Sequence, residues 1–447
     1  MQRRSKAKQR EAAFRFVTVR IVPSKFRVRQ RASELYGRVG GSDLVRQGRP
    51  LLVATALASL AVYGFHFFAS RRLGVDRYGA LASLLAAVTL INAVSTVGAT
   101  IVARFAAEFE ALEDRGRLRR LLDVLTRSCA ILFTVGGITA FVFRAPLAAF
   151  LRIEISGFVV MAAILAGLTV TAGLLRGLLQ GTQRFVSFSL SSIIENVGRA
   201  ALAAVFVLIG FGIPGVLFGQ IIAAIVATAY TYVGLRTALC APPVMLRIDL
   251  RRLVVTSGAI AAASLSLSML AYFDLILAKH YLTPHDAGLY GFAILPGRML
   301  SAIISFLPTL ILPKATARAA IGRPGHAILY AGIGVAAALG LAALGFFYVF
   351  AARIVLTIAG PAFISAAPLI FPYGCAAAAF GLTSIAVAYQ MGRHRFDFVL
   401  PLLLIVVCEV VAIALVHETA AEIVLIVLIA NVLAFFAAIF RVTASPG

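Results

Sequence analysis

Charge is scarce in this sequence. Only 13% of its 447 residues are Asp, Glu, Lys or Arg, against 61% hydrophobic residues and a mean hydropathy of +0.97. A water-soluble fold has too little interior to hide that much apolar surface, so soluble enzymes and soluble binding modules are excluded. Metal-binding and disulfide signatures are missing as well: the four cysteines, Cys129, Cys240, Cys375 and Cys408, are far apart and share no spacing that suggests either. Nothing resembles a phosphate-binding Walker loop, an HExxH zinc motif or a DxD aspartate pair, which argues against catalysis and against ATP-driven transport by this chain alone. Tryptophan is absent, which counts against an aromatic cage for a cationic ligand. Residues 1–49 are polar and basic and precede every apolar run, unlike a secretory signal peptide.

What is present is a series of continuously apolar runs. Stretches such as AVFVLIGFGIPGVLFGQIIAAIVATAY lack the alternation of a membrane β-barrel strand and read as helices, because in lipid each backbone amide must be satisfied within its own segment. Windows of about 20 residues, the length that spans a bilayer, predict twelve transmembrane helices. They lie near 50–70, 79–103, 121–143, 157–177, 186–210, 213–235, 253–276, 289–312, 327–350, 363–389, 397–416 and 421–440.

Basic residues are sorted by side. The net charge is +23, and residues 1–49 hold 14 Lys/Arg with three acids, Glu11, Glu34 and Asp43. With the first residue placed in the cytosol, 32 of the 41 cations fall on the cytosolic side and 7 on the other, and Arg199 and Arg298 lie inside spans. Such asymmetry predicts both termini in the cytosol, and it explains the basic balance without nucleic acid. The tail at 1–49 reads either as a solvated arm or as an electrostatic anchor to anionic membrane lipids, near Phe14, Phe16 and Phe26.

The chain also repeats itself. RRLGVDRYGALASLLAAV, from residue 71, is echoed by AKHYLTPHDAGLYGFAIL, from residue 278, and LLQGTQRF at 178–185 by YQMGRHRF at 389–396. The Tyr78-Gly79 and Tyr290-Gly291 pairs are 212 positions apart, and the second echo is offset by 211. Two echoes whose offsets differ by one residue predict parallel repeats: a 50–235 bundle and a 253–441 bundle, each of six helices, joined by a cytosolic linker at 236–252, with a central cavity between them.

Charges within spans are the sharpest site signals, since each costs a few kcal/mol in hydrocarbon. Glu195 and Arg199 lie four apart in the fifth span and can pair, with a structural and a functional role both open. Arg298 follows the Pro296-Gly297 break in the eighth span, with no acid within a helical turn, and so asks for an anionic partner. Asp274, near the end of the seventh span, either acts in the site or snorkels to the interface; Glu409, in the eleventh, is either a neutral structural group or a cation or proton site. His66 reads as a hydrogen-bonded filler. Gly173, Gly177 and Gly181 form a stripe suited to close helix packing, and the breakers Pro296, Pro308 and Pro313, with Pro368, Pro372 and Gly374, mark the eighth and tenth spans as cavity walls.

The stretches LGVDRYGALASLLAAV, VGATIVARFAAE and LLRGLLQGTQRF, and the segment from Asp274 to Tyr290-Gly291, resemble polysaccharide-transporter flippases of the multidrug/oligosaccharidyl-lipid/polysaccharide exporter superfamily. The resemblance covers nearly the whole chain after residue 50. It implies two six-helix bundles and a V-shaped cavity whose basic residues receive a diphosphate; by position Arg298 looks like one of those cations. The long tail departs from that pattern, as do twelve helices in place of the fourteen of lipid II flippases.

The resulting expectation is an all-α secondary transporter of the bacterial inner membrane, free of cofactors. It would flip a polyprenyl-diphosphate-linked oligosaccharide for polysaccharide biosynthesis, alongside partners from that process. Arg298 and Arg199 are the predicted substrate-binding residues; Glu195, Asp274 and Glu409 are candidates for coupling to a proton or sodium gradient. The alternatives are an ion-coupled multidrug or cation antiporter of the same superfamily, and a scaffold that docks a partner through the basic tail.

Overall fold

The structure, a computed structural model, describes residues 41–443 apart from 241, 243–249, 309–310, 313–314, 316–325 and 394. Residues 1–40 of the predicted tail, part of the predicted linker, and Pro313 lie outside the described residues. Residues 51–447 form one compact unit.

Among the described residues the secondary structure is helical throughout. The helices are α1 (Gly41–Leu73), α2 (Val75–Ala111), α3 (Arg115–Val142), α4 (Arg144–Phe150), α5 (Gly157–Gly181), α6 (Phe185–Leu208) and α7 (Gly212–Ala238). They continue as α8 (Leu250–Tyr281), α9 (Pro284–Ile304), α10 (His326–Ile358), α11 (Ala367–Gly392), α12 (Val399–Leu415) and α13 (Ala420–Thr443), with a 3-10 turn at Pro361–Ala366 leading into α11. All of them except the seven-residue α4 fall on the twelve predicted spans. Ten helices are long and apolar enough to cross a membrane, and α12 is a shorter apolar helix of 17 residues. This is an all-α, polytopic membrane protein.

Helix α1 starts inside the predicted tail, and α8 runs past the end of its predicted span to Tyr281. Hydropathy marks the part of a helix that meets lipid and is blind to turns that continue into the interface. Helix starts follow local chemistry. Gly74 supplies the φ of +78° that separates α1 from α2, and Thr283 caps α9 by accepting from the Asp286 amide, with Pro284 in the first turn. Large apolar side chains face outward, among them Leu341, Tyr348 and Leu415, each more than 70% exposed. Lipid is the environment that makes such faces stable.

Packing repeats along the chain. Helix α5 packs on α2, α3 and α7, and α7 packs on α6. Six spans later α11 packs on α9, α10 and α13, and α13 packs on α12. The α2–α5 contact uses the predicted glycine stripe: a Cβ on Gly177 would stand 2.5 Å from the Ala99 carbonyl oxygen, and one on Gly173 2.8 Å from Ser95 Oγ.

Helix α2 also meets α8 and α9, joining the two sets. There Gly79 of α2 faces Gly288 of α9 so closely that a Cβ on Gly79 would lie 2.8 Å from the Gly288 nitrogen, and a Cβ on Gly288 would strike the Val75 carbonyl. The repeated tyrosines sit at the same junction, and Tyr78 and Tyr290 are both fully buried.

Forcing a methyl group into this backbone contact is expected to cost about 1–3 kcal/mol. Gly288→Ala should therefore lower the thermal unfolding midpoint of the purified protein. Gly64→Ala, with nothing within 4 Å of its added carbon, should change it little. Equal midpoints would mean that α2 and α9 do not cross closely.

Candidate functional site

The helices enclose a cavity of about 350 Å³. Its walls come from α1 (Tyr63, His66), α2 (Tyr78, Thr89), α8 (Tyr272), α9 (Arg298, Ser301), α11 (Tyr373) and α13 (Asn431). The two proline-bearing spans predicted as cavity walls therefore both contribute, α9 with Arg298 and α11 with Tyr373. Pro296 inside α9 lacks an N–H, which removes one helix hydrogen bond just before Arg298. The lining is apolar carbon relieved by phenols, hydroxyls, one amide and one permanent cation, a mixture suited to an amphiphile with a polar, anionic head.

Arg298 does have an anionic partner. Its Nη2 donates to the Ala271 carbonyl at 3.0 Å and to Asp274 Oδ1 at 3.2 Å, and its guanidinium lies 4.9 Å from the centre of the Tyr272 ring. The other carboxylate oxygen, Asp274 Oδ2, accepts from the Tyr290 hydroxyl at 2.7 Å and the Tyr373 hydroxyl at 3.1 Å. Asp274 is 1% exposed, so it does not snorkel to the interface. Since α8 extends to Tyr281, Asp274 stands about two turns inside the helix end. The carboxylate is held behind the cavity wall, whereas Arg298 is on the wall and is 18% exposed. Arg298 Nε is buried without a hydrogen-bond partner, so the guanidinium has donor capacity in reserve.

The predicted Glu195–Arg199 pair forms, with Arg199 Nη1 3.5 Å from Glu195 Oε1. It belongs to a larger network that sequence reasoning missed. Arg176 of α5 donates to Glu195 Oε2, and Arg199 Nη2 donates to Gln220 Oε1 of α7 at 2.9 Å. These residues are not on the cavity lining. Glu409 of α12 is 5% exposed, and its Oε1 has no hydrogen-bond partner among the described residues. His66 Nδ1 lies 3.2 Å from the Tyr78 hydroxyl, which suits the hydrogen-bonded filler expected from sequence, although the ring also borders the cavity. The signal for the missed tyrosines was available: Tyr290 belongs to the repeated Tyr-Gly pair, and Tyr373 follows the Pro372 break.

The helical architecture and the arginine-bearing cavity define a polytopic membrane protein whose fold is that of membrane transporters. The fold is similar to that of an inward-facing multidrug resistance MATE family transporter of the MOP superfamily, with a TM-score of 0.70 at 14% identity over 88% of this chain and 98% of that one. It is also similar to the lipid II flippase MurJ in an inward closed conformation, with a TM-score of 0.69 at 10% identity over 88% of this chain and 87% of that one. A MOP superfamily transporter from Pyrococcus furiosus, described as having a binding pocket of reverse polarity, gives 0.60 at 16% identity over 90% and 95% of the two chains. No curated protein matches in sequence. The chain belongs to the polysaccharide biosynthesis protein family, whose profile matches residues 44–314.

Removing one member of a buried ion pair strands the other charge, whereas removing both does not. Arg298→Gln is expected to lower the thermal midpoint, and the double variant Asp274→Asn/Arg298→Gln to recover part of the loss. Additive losses in this double-mutant cycle would mean that the two side chains are not coupled.

Proposed function

We propose that this transporter flips a polyprenyl-diphosphate-linked oligosaccharide from the cytosolic to the outer leaflet of the bacterial inner membrane, with both termini in the cytosol. The observation that carries the reading is Arg298, whose guanidinium is the permanent cation on the cavity lining. A diphosphate supplies paired oxygens for charge-assisted hydrogen bonds to such a group. The hydroxyls of Thr89, Ser301 and Tyr63 and the Asn431 amide offer hydrogen bonds to a sugar. Membership of a polysaccharide biosynthesis family supports the same substrate class, as does likeness of fold to the lipid II flippase MurJ.

A sugar head group does not cross hydrocarbon unaided, so it travels in the cavity while the polyprenyl tail stays in lipid. Alternating access comes from rocking of the 50–235 bundle against the 253–441 bundle about the α2–α9 crossing. Arg199, off the cavity lining, is held in the first bundle by Glu195 and Gln220. Of the three acids, Glu409 suits coupling to a proton or sodium gradient best, because its Oε1 has no protein partner, whereas Glu195 and Asp274 are engaged by arginines. The basic tail would hold the chain to anionic lipids or to enzymes that build the polymer.

A multidrug or cation antiporter is the competing reading, favoured by the tyrosines around the cavity. Against it, the charge presented to that cavity is Arg298, while Asp274 lies behind the wall.

Cells lacking the protein are expected to accumulate a polyprenyl-linked oligosaccharide that stays inaccessible from the outer side. Restoring the wild-type chain should clear it. Arg298→Ala should be made and inserted in the membrane yet leave the lipid accumulated. Near-normal flipping by that variant removes Arg298 from the mechanism. An unchanged lipid pool with sensitivity to cationic drugs replaces the flippase by the antiporter.

A further inference from the structure

We propose that Asp274 is an internal competitor for the Arg298 guanidinium and sets which anions the cavity accepts. The inference rests on the flippase reading and concerns how the same site chooses among lipid phosphates.

The geometry separates the two sides of the guanidinium. From behind the wall, Asp274 Oδ1 accepts from Nη2 at 3.2 Å; from the cavity, Arg298 is open to an incoming anion. The carboxylate has an independent hold on its place, because Tyr290 and Tyr373 donate to Oδ2 at 2.7 and 3.1 Å and neither bond involves the arginine. When Arg298 turns toward a ligand, Asp274 therefore keeps two hydrogen bonds. An Asp without those phenols would be left bare and buried, a state that costs too much to visit in a transport cycle.

This arrangement has a consequence for selectivity. In the empty carrier the carboxylate neutralises the guanidinium, so an entering anion has to outcompete a prepaid, well-oriented partner. A neutral sugar or a polyprenyl monophosphate offers little advantage over that partner. A diphosphate brings more negative charge and more oxygens to the guanidinium, and it displaces the carboxylate. Selection for a diphosphate thus comes from the acid behind the arginine as well as from the arginine itself, a case of discrimination by a built-in competitor.

The test measures binding of farnesyl diphosphate and farnesyl phosphate to the full chain in lipid nanodiscs. Wild type is expected to prefer the diphosphate by at least about tenfold, equivalent to about 1.4 kcal/mol. Asp274→Asn should bind both probes more tightly, gain most for the monophosphate, and lose most of the preference; Asp274→Glu should restore it. Tyr290→Phe acts in the opposite sense without touching the cavity lining. With one phenol gone, Asp274 leans harder on Arg298, and diphosphate affinity should fall several-fold. This second variant decides the matter if Asp274→Asn does not fold. An Asp274→Asn protein that is monodisperse and keeps the wild-type preference overturns the competitor role and leaves the flippase reading standing, as does a Tyr290→Phe protein with wild-type affinity. Binding of neither probe by wild type overturns the flippase reading, and the inference falls with it.

Discussion

A carboxylate inside a membrane-spanning bundle must be met by donors or a cation, and the centre of this protein is built to meet Asp274. Three helices supply the groups: α8 carries the carboxylate and the Ala271 carbonyl, α9 supplies Tyr290 and Arg298, and α11 supplies Tyr373. Each group is placed by its own helix packing. Gly297 gives Tyr373 room to come within 2.7 Å of where a Cβ would be, and the phenol then reaches Asp274. The charge and the packing are therefore one constraint. A shift of α11 against α9 would undo the hydrogen bond, and loss of the hydrogen bond would remove a reason for α11 to sit where it does.

The repeat gives this centre a counterpart with different chemistry. Tyr78 occupies the position of Tyr290, and where Tyr290 bonds to Asp274, Tyr78 lies beside His66. Both tyrosines come from the first turns of a helix that follows a sharp reversal, at Gly74 in one half and at Thr283-Pro284 in the other. The backbone device is shared, whereas the polar partner differs, an imidazole in one half and a carboxylate in the other. The difference at that point leaves a single acid against a single arginine on the second side, and a His-Tyr pair across the junction.

Most of the architecture was legible because lipid imposes a simple rule on length and apolarity. Twelve windows read from hydropathy coincide with twelve helices, and the glycines of α5 packed as their spacing suggested. Individual charged residues were legible for the same reason, since Arg298, Asp274, Glu195 and Arg199 stand out in apolar runs. Their partnerships were not. Arg298 and Asp274 are 24 positions apart on different helices, and spacing along one chain does not report which helices touch. Asp274 was placed too near the interface because polar residues at 279–281 hid the last turns of α8. Arg176 stands at the last turn of its predicted span, and its partner Glu195 is reached only through the α5–α6 approach.

The two halves handle buried charge differently, and the difference bears on where an anion gains most. In the first half Glu195 is shared by Arg176 and Arg199; Arg176 Nε also donates to the Ala172 carbonyl, and Arg199 donates to Gln220. An anion recruiting either of those arginines has to dismantle a network of hydrogen bonds and leave Glu195 underpaired. In the second half Arg298 gives Nη2 to Ala271 and Asp274, also meets the Tyr373 hydroxyl, and keeps Nε bare, while its acid partner has two phenols to fall back on. The exchange at Arg298 costs one ion pair and returns several charge-assisted hydrogen bonds, whereas the exchange at Arg199 costs more than it returns. Of two arginines that look alike in sequence, Arg298 has the less complete protein shell, which is the reason for proposing it, and not Arg199, as the one that holds a ligand.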